Sequence, residues 1–454
     1  MKKHVWLIIG LLVAACQTQP GNIPVVDAAL YDTNSVFYTD FTTYPPVRNH
    51  LPIGIFDSGT GGLTVLEAIL SSRLLEGEDF IYLADQANMP YGNYPAEGKT
   101  DFLRELIIKD ALFLLGHQVK IIVVACNTAT AYGLEDIRNF LDESNSGIKV
   151  IGVINAGVNA TLDRIDPKEN VAVGVLATVG TIASGGYENT FRALAKDSGY
   201  TGDLQIVSHG AAGFAEAVDS ERDYVDPLAM VPREDYRGPS MDHPVYKIDT
   251  SLLPAYGFDF SANHMLYNGS EDQPRDLQLN AAENYARYHL LSLVEKHRSS
   301  KDPQPLKYLV LGCTHFPYDS RTLSLMLDEL REYETGGQYP YRDLIAENVT
   351  LIDPAFETAR ELYATLVKDT LLSFEIRNTG ADFYISVPVE DSENALRLDT
   401  TGRFSYAYKY GRNPGVFTND VNIVPFSADN IDSLTRKRLR TLRYTWPLLP
   451  FASE

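Results

Sequence analysis

The chain has 454 residues, of which 44% are hydrophobic and 22% are charged, a composition typical of a soluble globular protein with about two domains. Its 39 basic and 60 acidic residues give a formal net charge of −21 at pH 7. Such a surface repels nucleic-acid phosphates, so we exclude nucleic acid as a partner and expect any anion to be bound locally, by backbone N–H groups, hydroxyls and helix N-termini.

The first 16 residues carry an export pattern. Two lysines precede an apolar run of roughly ten residues, the length of a signal-peptide core and too short for a membrane span. The sequence VAAC at residues 13–16 resembles the bacterial lipoprotein box, which implies that Cys16 is lipidated and anchors the chain to a membrane. An ordinary cleaved signal and a misplaced gene start are the alternatives. Gln17 favours the outer membrane, facing the periplasm, and residues 17–50 are predicted to be a polar tether.

Strand and helix patterns then alternate in the order βαβαβ, and the arrangement occurs twice. IGIFDSGTGG from Ile53 is echoed by VGVLATVGTI from Val173, and KIIVVACNT from Lys120 is echoed by KYLVLGCTH from Lys307. Apolar strands that alternate with amphipathic helices predict parallel sheets covered on both faces. The predicted fold class is α/β, with two pseudo-symmetric domains and an active site in the cleft at the carboxyl ends of their strands.

The same patterns predict the domain boundaries. Residues 51–150 are predicted to form the first domain and residues 151–370 the second. The second is longer because residues 219–279, rich in Asp, Pro, Tyr and Gly, are predicted to be an inserted lobe or lid. Residues 371–454 are predicted to return to the first domain and to end in an extension, where the sequence indicates no chemistry.

Cys126 and Cys313 occupy equivalent positions in the repeat. Each follows a buried strand and precedes a helix start, a placement that stabilises a thiolate. Their equivalence predicts two thiols on opposite walls of one cleft. The alternative is a structural disulfide between them, the ordinary state of two cysteines in an exported protein.

Polar residues beside the cysteines are candidates for proton transfer. Asp57 ends the first strand and is positioned to orient the thiol of Cys126 or to accept its proton, with helix capping as the alternative. His315 is placed to serve Cys313 in the same way. Ser58 and the glycines after it offer hydrogen-bond donors to an anion.

Five motifs follow one another along the chain: DSGTGG at Asp57, Tyr82-x-x-Asp85 leading to PYG at Pro90, ACNTATA at Ala125, VLATVGT at Val175 and LGCTHFP at Leu311. Together they resemble glutamate racemase, of the cofactor-independent aspartate/glutamate racemase superfamily. The resemblance runs from about Leu51 to about Leu366, interrupted by the insert.

The resemblance implies one catalytic cysteine on each side of the substrate, with no cofactor and no metal. In that scheme Cys126 removes the α-proton of the D-isomer, Cys313 removes that of the L-isomer, and each reprotonates the opposite face. Asp57 assists Cys126, while His315 and Glu216 assist Cys313. An acid and a base poised together suit a carbanion that is too unstable to wait. The implied substrate-binding residues are Ser58, Pro90, Tyr91, Gly92, Asn127, Thr128, Thr178, Thr181 and Thr314.

The resemblance implies that the ligand is a small acidic amino acid and that the protein acts in peptidoglycan and cell-wall biogenesis. The sequence Cys-Thr-His at 313–315 favours glutamate, and a racemase of broader acidic specificity, such as for aspartate, is an alternative. A second alternative is a non-catalytic lipoprotein that binds an amino acid or a cell-wall fragment on a racemase scaffold. The expected partners also include a membrane, through the lipid anchor, and a second copy in a homodimer.

Overall fold

The structure is a computed structural model that describes residues 23–373, 379–389, 397–399, 401–417 and 420–452. Cys16 and the rest of the export pattern lie outside the described residues. Within the described ranges, no helix has both the length and the apolar character that crossing a membrane requires.

The first half of the protein is built on a six-stranded sheet. Its order is β12-β11-β2-β1-β3-β4, and all neighbours are parallel except β11 and β12. The strands are β1 (Ile53–Asp57), β2 (Phe80–Ala84), β3 (Ile121–Val124), β4 (Lys149–Gly152), β11 (Ala381–Pro388) and β12 (Val421–Pro425). Every residue of β1, β2 and β3 is buried, as expected for strands covered on both faces.

The second half is built on a four-stranded, fully parallel sheet of order β10-β9-β5-β6. Its strands are β5 (Val171–Ala177), β6 (Leu204–Gly210), β9 (Leu306–Gly312) and β10 (Ile345–Ile352). The mainly parallel first sheet and the fully parallel second sheet confirm the predicted α/β fold class. They also bring the ends of β3 and β9, which carry the two cysteines, to the carboxyl edges of separate sheets.

Helices cover both faces of each sheet because alternate strand residues face opposite sides. In β1, for example, Ile53 and Ile55 belong to one apolar core and Phe56 belongs to the other. The helices of the first half are α2 (Leu63–Ser71), α3 (Thr100–Gly116) and α4 (Asn127–Glu143). Those of the second half are α5 (Val153–Leu162), α6 (Val179–Ala183), α7 (Gly186–Asp197), α8 (Phe214–Val218), α10 (Ala282–Arg298) and α11 (Ser320–Glu332).

One helix, α12 (Pro354–Lys368), connects the halves because it packs against both α2 and α5. Asp353 caps this helix by accepting the N–H of Ala355 at 3.0 Å. The range predicted to be an insert holds the short helix α9 (Leu253–Tyr256) and an antiparallel hairpin of β7 (Met265–Gly269) and β8 (Pro274–Leu279).

The C-terminal part of the chain packs as part of the first half. Strand β11 pairs in parallel with β2 and widens the first sheet, and β12 closes its edge. Two further helices follow, α13 (Tyr406–Gly411) and α14 (Ser433–Leu439). Leu439 is fully buried in the same core as Ile53 and Leu66, so α14 is part of the folded body.

The tether prediction for residues 17–50 is wrong for part of that range. Pro24–Tyr31 forms a helix, α1, which packs against α3. Val25 and Ala29 of α1 are fully buried in a core of the first half. Pro24 stands at the first helical position, where proline favours a helix start instead of breaking it. The prediction gave too much weight to the prolines and too little to the short apolar run.

Candidate active site

The two cysteine thiols line the same small cavity between the halves, about 20 Å³ in volume. Both are buried and neither forms a disulfide, so among the described residues the predicted alternative of a disulfide between Cys126 and Cys313 is wrong. Several predicted binding residues line this cavity with them: Ser58, Pro90, Tyr91, Gly92, Asn127, Thr128, Thr178, Thr314 and His315. A space of this size has room for about one water molecule.

Cys126 directly precedes α4 and acts as its N-cap. Its Sγ accepts the N–H of Ala129 at 3.4 Å and lies 3.7 Å from the Oγ of Ser58. Burial raises the pKa of the Cys126 thiol far above its usual range, and the negative charge of Asp57 adds to the shift. The N–H of Ala129 opposes this shift without cancelling it. Cys126 is therefore a protonated thiol at neutral pH, although its position at a helix start led us to expect a thiolate.

Asp57 is fully buried at the end of β1. One carboxylate oxygen, Oδ2, accepts the N–H of Gly62 at 2.9 Å and that of Gly59 at 3.2 Å, so it holds the loop after the strand. The same oxygen is 3.5 Å from the Oγ1 of Thr314 in the second half. The other oxygen, Oδ1, has no hydrogen-bond partner in the described part of the chain. Burial raises the pKa of this carboxyl, and the charge of His315 offsets part of the shift.

Cys313 follows β9 and faces a histidine. The Sγ of Cys313 lies 3.6 Å from the Nδ1 of His315. The other ring nitrogen, Nε2, is 3.3 Å from the Oδ1 of Asp219, an ion-pair contact that lacks the alignment of a hydrogen bond. Burial alone lowers the pKa of His315, but the negative charge of Asp219 raises it well above its usual range. The raised pKa favours the imidazolium form of His315, beside the sulfur of Cys313.

Asp219 is a site residue that the sequence analysis missed. It is buried at the end of α8, where its carboxylate meets three side chains from different parts of the chain. Arg438 donates to Oδ1 at 2.6 Å and Gln86 donates to Oδ2 at 3.2 Å, in addition to the contact with His315. Burial raises the pKa of the Asp219 carboxyl, but the charges of Arg438 and His315 outweigh it and hold that pKa well below its usual range.

Glu216, the predicted partner of His315, lies one helical turn before Asp219. It is buried, and its Oε1 accepts a hydrogen bond from the Nδ2 of Asn93 at 3.3 Å. Burial raises the pKa of Glu216 to about 7. The carboxylate in direct contact with His315 is thus Asp219, whereas Glu216 bonds to a residue of the first half.

Three predicted threonines form a closed triangle of hydroxyls. The Oγ1 atoms of Thr128, Thr178 and Thr181 are separated by 2.9 to 3.0 Å. Thr178 also caps α6 by accepting the N–H of Thr181 at 3.2 Å. Since Thr128 belongs to α4 and the other two belong to the second half, the triangle joins the two walls of the cleft.

The turn at Pro90, Tyr91 and Gly92 is held by the Tyr91 side chain. The hydroxyl of Tyr91 lies 2.6 Å from one oxygen of Asp85 and 2.6 Å from one oxygen of Asp110. That hydroxyl is therefore committed to an anchoring network. A Cβ at Gly92 would lie 2.8 Å from the Cβ of Thr178, so the close approach of this turn to the second half requires glycine.

A second, much larger cavity adjoins the site, with a volume of about 1170 Å³. Pro90 lines both cavities. The larger one is enclosed by the first half, the start of the predicted insert and the C-terminal segment, and Gln86, Asn93 and Asp219 lie in its wall. The hydrogen bonds from Gln86 to Asp219 and from Asn93 to Glu216 thus span the halves at the edge of the larger cavity.

Signals for the missed residues differ in strength. Asp219 lies three residues after Glu216 in the segment EAVD, a spacing that puts two carboxylates on one helical face. Arg438 lies in LTRKRLRTLR, where several basic residues are equivalent by sequence. Tyr187, which donates to the Oδ1 of Asn127 at 2.6 Å, had no motif to mark it.

The fold and the site together define an α/β protein whose two halves each direct one thiol into a shared, closed cavity. Its sequence is similar to those of glutamate racemases. It is 43% identical over 176 residues to the glutamate racemase of Enterococcus faecalis, which covers 39% of this chain and 57% of that protein. It is 28% identical over 348 residues to that of Clostridium novyi, which covers 77% of this chain and 95% of that protein.

Two further comparisons complete the picture. The chain spans about half the length of the first curated relatives that it matches. Among solved structures, glutamate racemase isoform RacE1 of Bacillus anthracis is similar, with a TM-score of 0.46 and 25% identity over 74% of this chain and 88% of that one. No family model matches the chain.

Proposed function

We propose that this protein is an amino-acid racemase that interconverts L- and D-glutamate without a cofactor. The observation that carries the proposal is the pair of buried, free thiols that line one cavity from opposite halves. Sequence similarity to glutamate racemases supports it, since the aligned relatives carry that name. The Cys-Thr-His sequence at 313–315 supports glutamate among the acidic amino acids.

The electrostatic environments of the two thiols support opposite starting roles. Cys126 is held as a neutral thiol by burial and by Asp57, whereas the ring of His315, whose pKa is raised, lies beside Cys313. The Cys313 thiolate takes the α-proton of L-glutamate, and the Cys126 thiol gives its own proton to the opposite face of the carbanion. D-glutamate leaves, with Cys313 now a thiol and Cys126 a thiolate, and the same steps run backwards from D-glutamate.

Asp219 acts in this scheme through His315 and does not touch the substrate. Its negative charge favours the protonated imidazole, which places a cation beside the sulfur of Cys313. Glu216 then has a separate role at the junction with Asn93. On the other side, the Oδ1 of Asp57, which has no hydrogen-bond partner among the described residues, is an acceptor for a proton or for the substrate ammonium group.

Substrate binding requires the two halves to separate, because a cavity of about 20 Å³ is too small for an amino acid. The polar contacts across the cleft include the threonine triangle, Gln86 with Asp219, and Asn93 with Glu216. The larger cavity next to Pro90 supplies the route of entry. After closure, the hydroxyls of Ser58, Thr128 and Thr178 and the amide of Asn127 are the donors available to the substrate carboxylates.

The proposal is tested by following the circular dichroism of L-glutamate incubated with the purified protein. The signal should decay to zero with the unaltered chain, and L-aspartate assayed in parallel measures the breadth of specificity. Cys126→Ala and Cys313→Ala should each abolish the decay while leaving the folded-state spectrum unchanged. If the unaltered protein, with both thiols shown to be reduced, leaves the signal constant, the proposal is wrong.

We also propose that the protein is exported and carries lipid on Cys16. The support is the sequence of residues 1–16, together with the burial of both site thiols, which shields them from an oxidising compartment. Metabolic labelling with radioactive palmitate should mark the full-length chain and should fail to mark Cys16→Ser. Equal labelling of both chains would overturn the lipid anchor without affecting the proposed activity.

A further inference from the structure

Arg438, on the C-terminal helix α14, extends into the junction beside the candidate active site. Its Nη2 lies 2.6 Å from the Oδ1 of Asp219 and 3.0 Å from the Oγ1 of Thr60. Its Nη1 donates to the backbone carbonyl of Val218. The guanidinium also lies over the ring of Tyr318, 5.0 Å from its centroid. The Arg438 side chain is only 12% exposed, so these contacts are made largely away from solvent.

These contacts join three separate parts of the molecule. Thr60 follows β1 in the first half, Val218 and Asp219 end α8 in the second half, and Arg438 belongs to the C-terminal extension. Gln86 reinforces the junction because its Nε2 donates to Asp219 at 3.2 Å while its Oε1 accepts the N–H of Thr60 at 3.2 Å. Arg438 therefore touches both walls of the cleft at once.

The segment that carries Arg438 is firmly seated. Asp432 caps α14 by accepting the N–H groups of Leu434 and Thr435 at 2.9 and 3.0 Å. Beyond the helix, the backbone N–H groups of Tyr444 and Thr445 donate to the carboxylate of Glu67 on α2 at 2.7 to 3.1 Å. Hydrogen bonds thus anchor the chain both before and after Arg438. A side chain on such an anchored helix is suited to fixing the position of another group.

Asp219 needs such a partner because it is buried and charged. Its Oδ1 is shared between the guanidinium of Arg438 and the Nε2 of His315. A buried carboxylate that loses a cationic partner either takes up a proton or turns towards another donor. Both responses change the contact with His315, which is the ring that faces Cys313 at 3.6 Å.

We propose that Arg438 is a positioning residue of the active site, which holds Asp219 against His315 and thereby fixes the ring that faces Cys313. The inference rests on the proposed racemase function. It gives the C-terminal extension a role in the reaction, whereas the sequence indicated no chemistry there. The extension supplies a cation, Arg438, at the end of a series of contacts. Arg438 contacts Asp219, Asp219 contacts His315, and His315 contacts Cys313.

The test compares Arg438→Ala with Lys437→Ala in the full chain, since Lys437 is an exposed neighbour on the same helix. The turnover number of Arg438→Ala should fall by about 10- to 100-fold, the usual cost of a misplaced catalytic group, while Lys437→Ala stays within about twofold of the unaltered chain. Arg438→Lys, which keeps the charge, should recover part of the loss. Added methylguanidinium should also restore turnover to Arg438→Ala without changing its melting temperature.

A double variant separates positioning from general support of the fold. If Arg438 acts through Asp219, the chain with both Asp219→Asn and Arg438→Ala should be no slower than Asp219→Asn alone. Multiplied losses in the double variant would overturn the inference, as would an Arg438→Ala chain that keeps full turnover. Inactivity of the unaltered chain is a different result, because it contradicts the proposed function itself.

Discussion

The Nε2 atom of His315 lies 3.3 Å from the Oδ1 atom of Asp219, and both side chains are almost completely buried. His315 comes from the end of β9 and Asp219 from the end of α8, so the pair is assembled by the second half. The contact accounts for the raised pKa of the imidazole and the lowered pKa of the carboxyl. It therefore sets the charge that faces Cys313 in the proposed reaction.

Asp219→Asn should lower both turnover and stability. The amide keeps the shape of the side chain but leaves Arg438 and His315 without their shared counter-charge, and breaking a buried ion pair costs about 3–5 kcal/mol. Urea unfolding at pH 7 measures this loss. Asp223→Asn is the matched control, because that carboxylate is half exposed in its pair with Arg237 and should change stability by less than about 1 kcal/mol. Equal stabilities of the two variants would contradict the account.

Gly61→Ala should impair turnover more than stability. A Cβ at Gly61 would lie 2.6 Å from the Cε1 of His315 and 2.8 Å from the Oγ1 of Thr314, so the ring must move. We expect a loss of turnover of about 10- to 100-fold. Gly116→Ala is the control, since within the described ranges no atom beyond its chain neighbours and its own helix backbone lies within 4 Å of the added methyl group, and its turnover should equal that of the unaltered chain. Steady-state assays of both variants decide the matter.

Glu216→Gln should make the free energy of unfolding less sensitive to a rise in pH. In the unfolded chain the carboxyl titrates near its ordinary pKa of about 4.3, whereas in the fold burial raises the pKa to about 7. The folded state thus binds the proton more tightly, and its stability falls as the pH rises from the lower pKa to the higher one. Glutamine removes this fall, so the stability of the variant relative to the unaltered chain should rise by up to about 3.6 kcal/mol between low pH and pH 8.

The measurement for Glu216→Gln is urea unfolding at pH 5 and pH 8. The difference between the variant and the unaltered chain should grow between these pH values. Glu234→Gln, at an exposed glutamate, should show the same small difference at both. A stability difference for Glu216→Gln that does not depend on pH would contradict the pKa assigned to this carboxyl.

The strands and the two thiols were predictable because their signals are local. Apolar runs such as KIIVVA and KYLVLG mark buried strands, and the internal repeat places Cys126 and Cys313 at equivalent strand ends. The fold class followed from the alternation of these runs with helices. The prediction of a tether failed at residues 24–31, which form α1. The burial of this helix depends on packing against α3, which its own sequence does not reveal.

The electrostatics of the site were harder to predict because they depend on contacts between distant parts of the chain. Asp219 and Arg438 are 219 positions apart. The sequence has 39 basic residues, and nothing in it marks Arg438 as the partner of Asp219. The protonation of Cys126 was also misjudged. A helix start favours a thiolate, but burial and the nearby charge of Asp57 oppose it, and the balance between these effects depends on how completely the thiol is buried in the fold.

The central claim, that two thiols act from opposite faces of one substrate carbon, is tested most directly by isotope incorporation. L-glutamate is incubated with the protein in deuterium oxide, and the reaction is stopped after a small fraction has turned over. Separation of the enantiomers and mass spectrometry should then show deuterium at the α-carbon of the D-glutamate formed, while the recovered L-glutamate keeps its hydrogen. Deuterium in both enantiomers at equal levels, or D-glutamate that retains the original hydrogen, would contradict the claim.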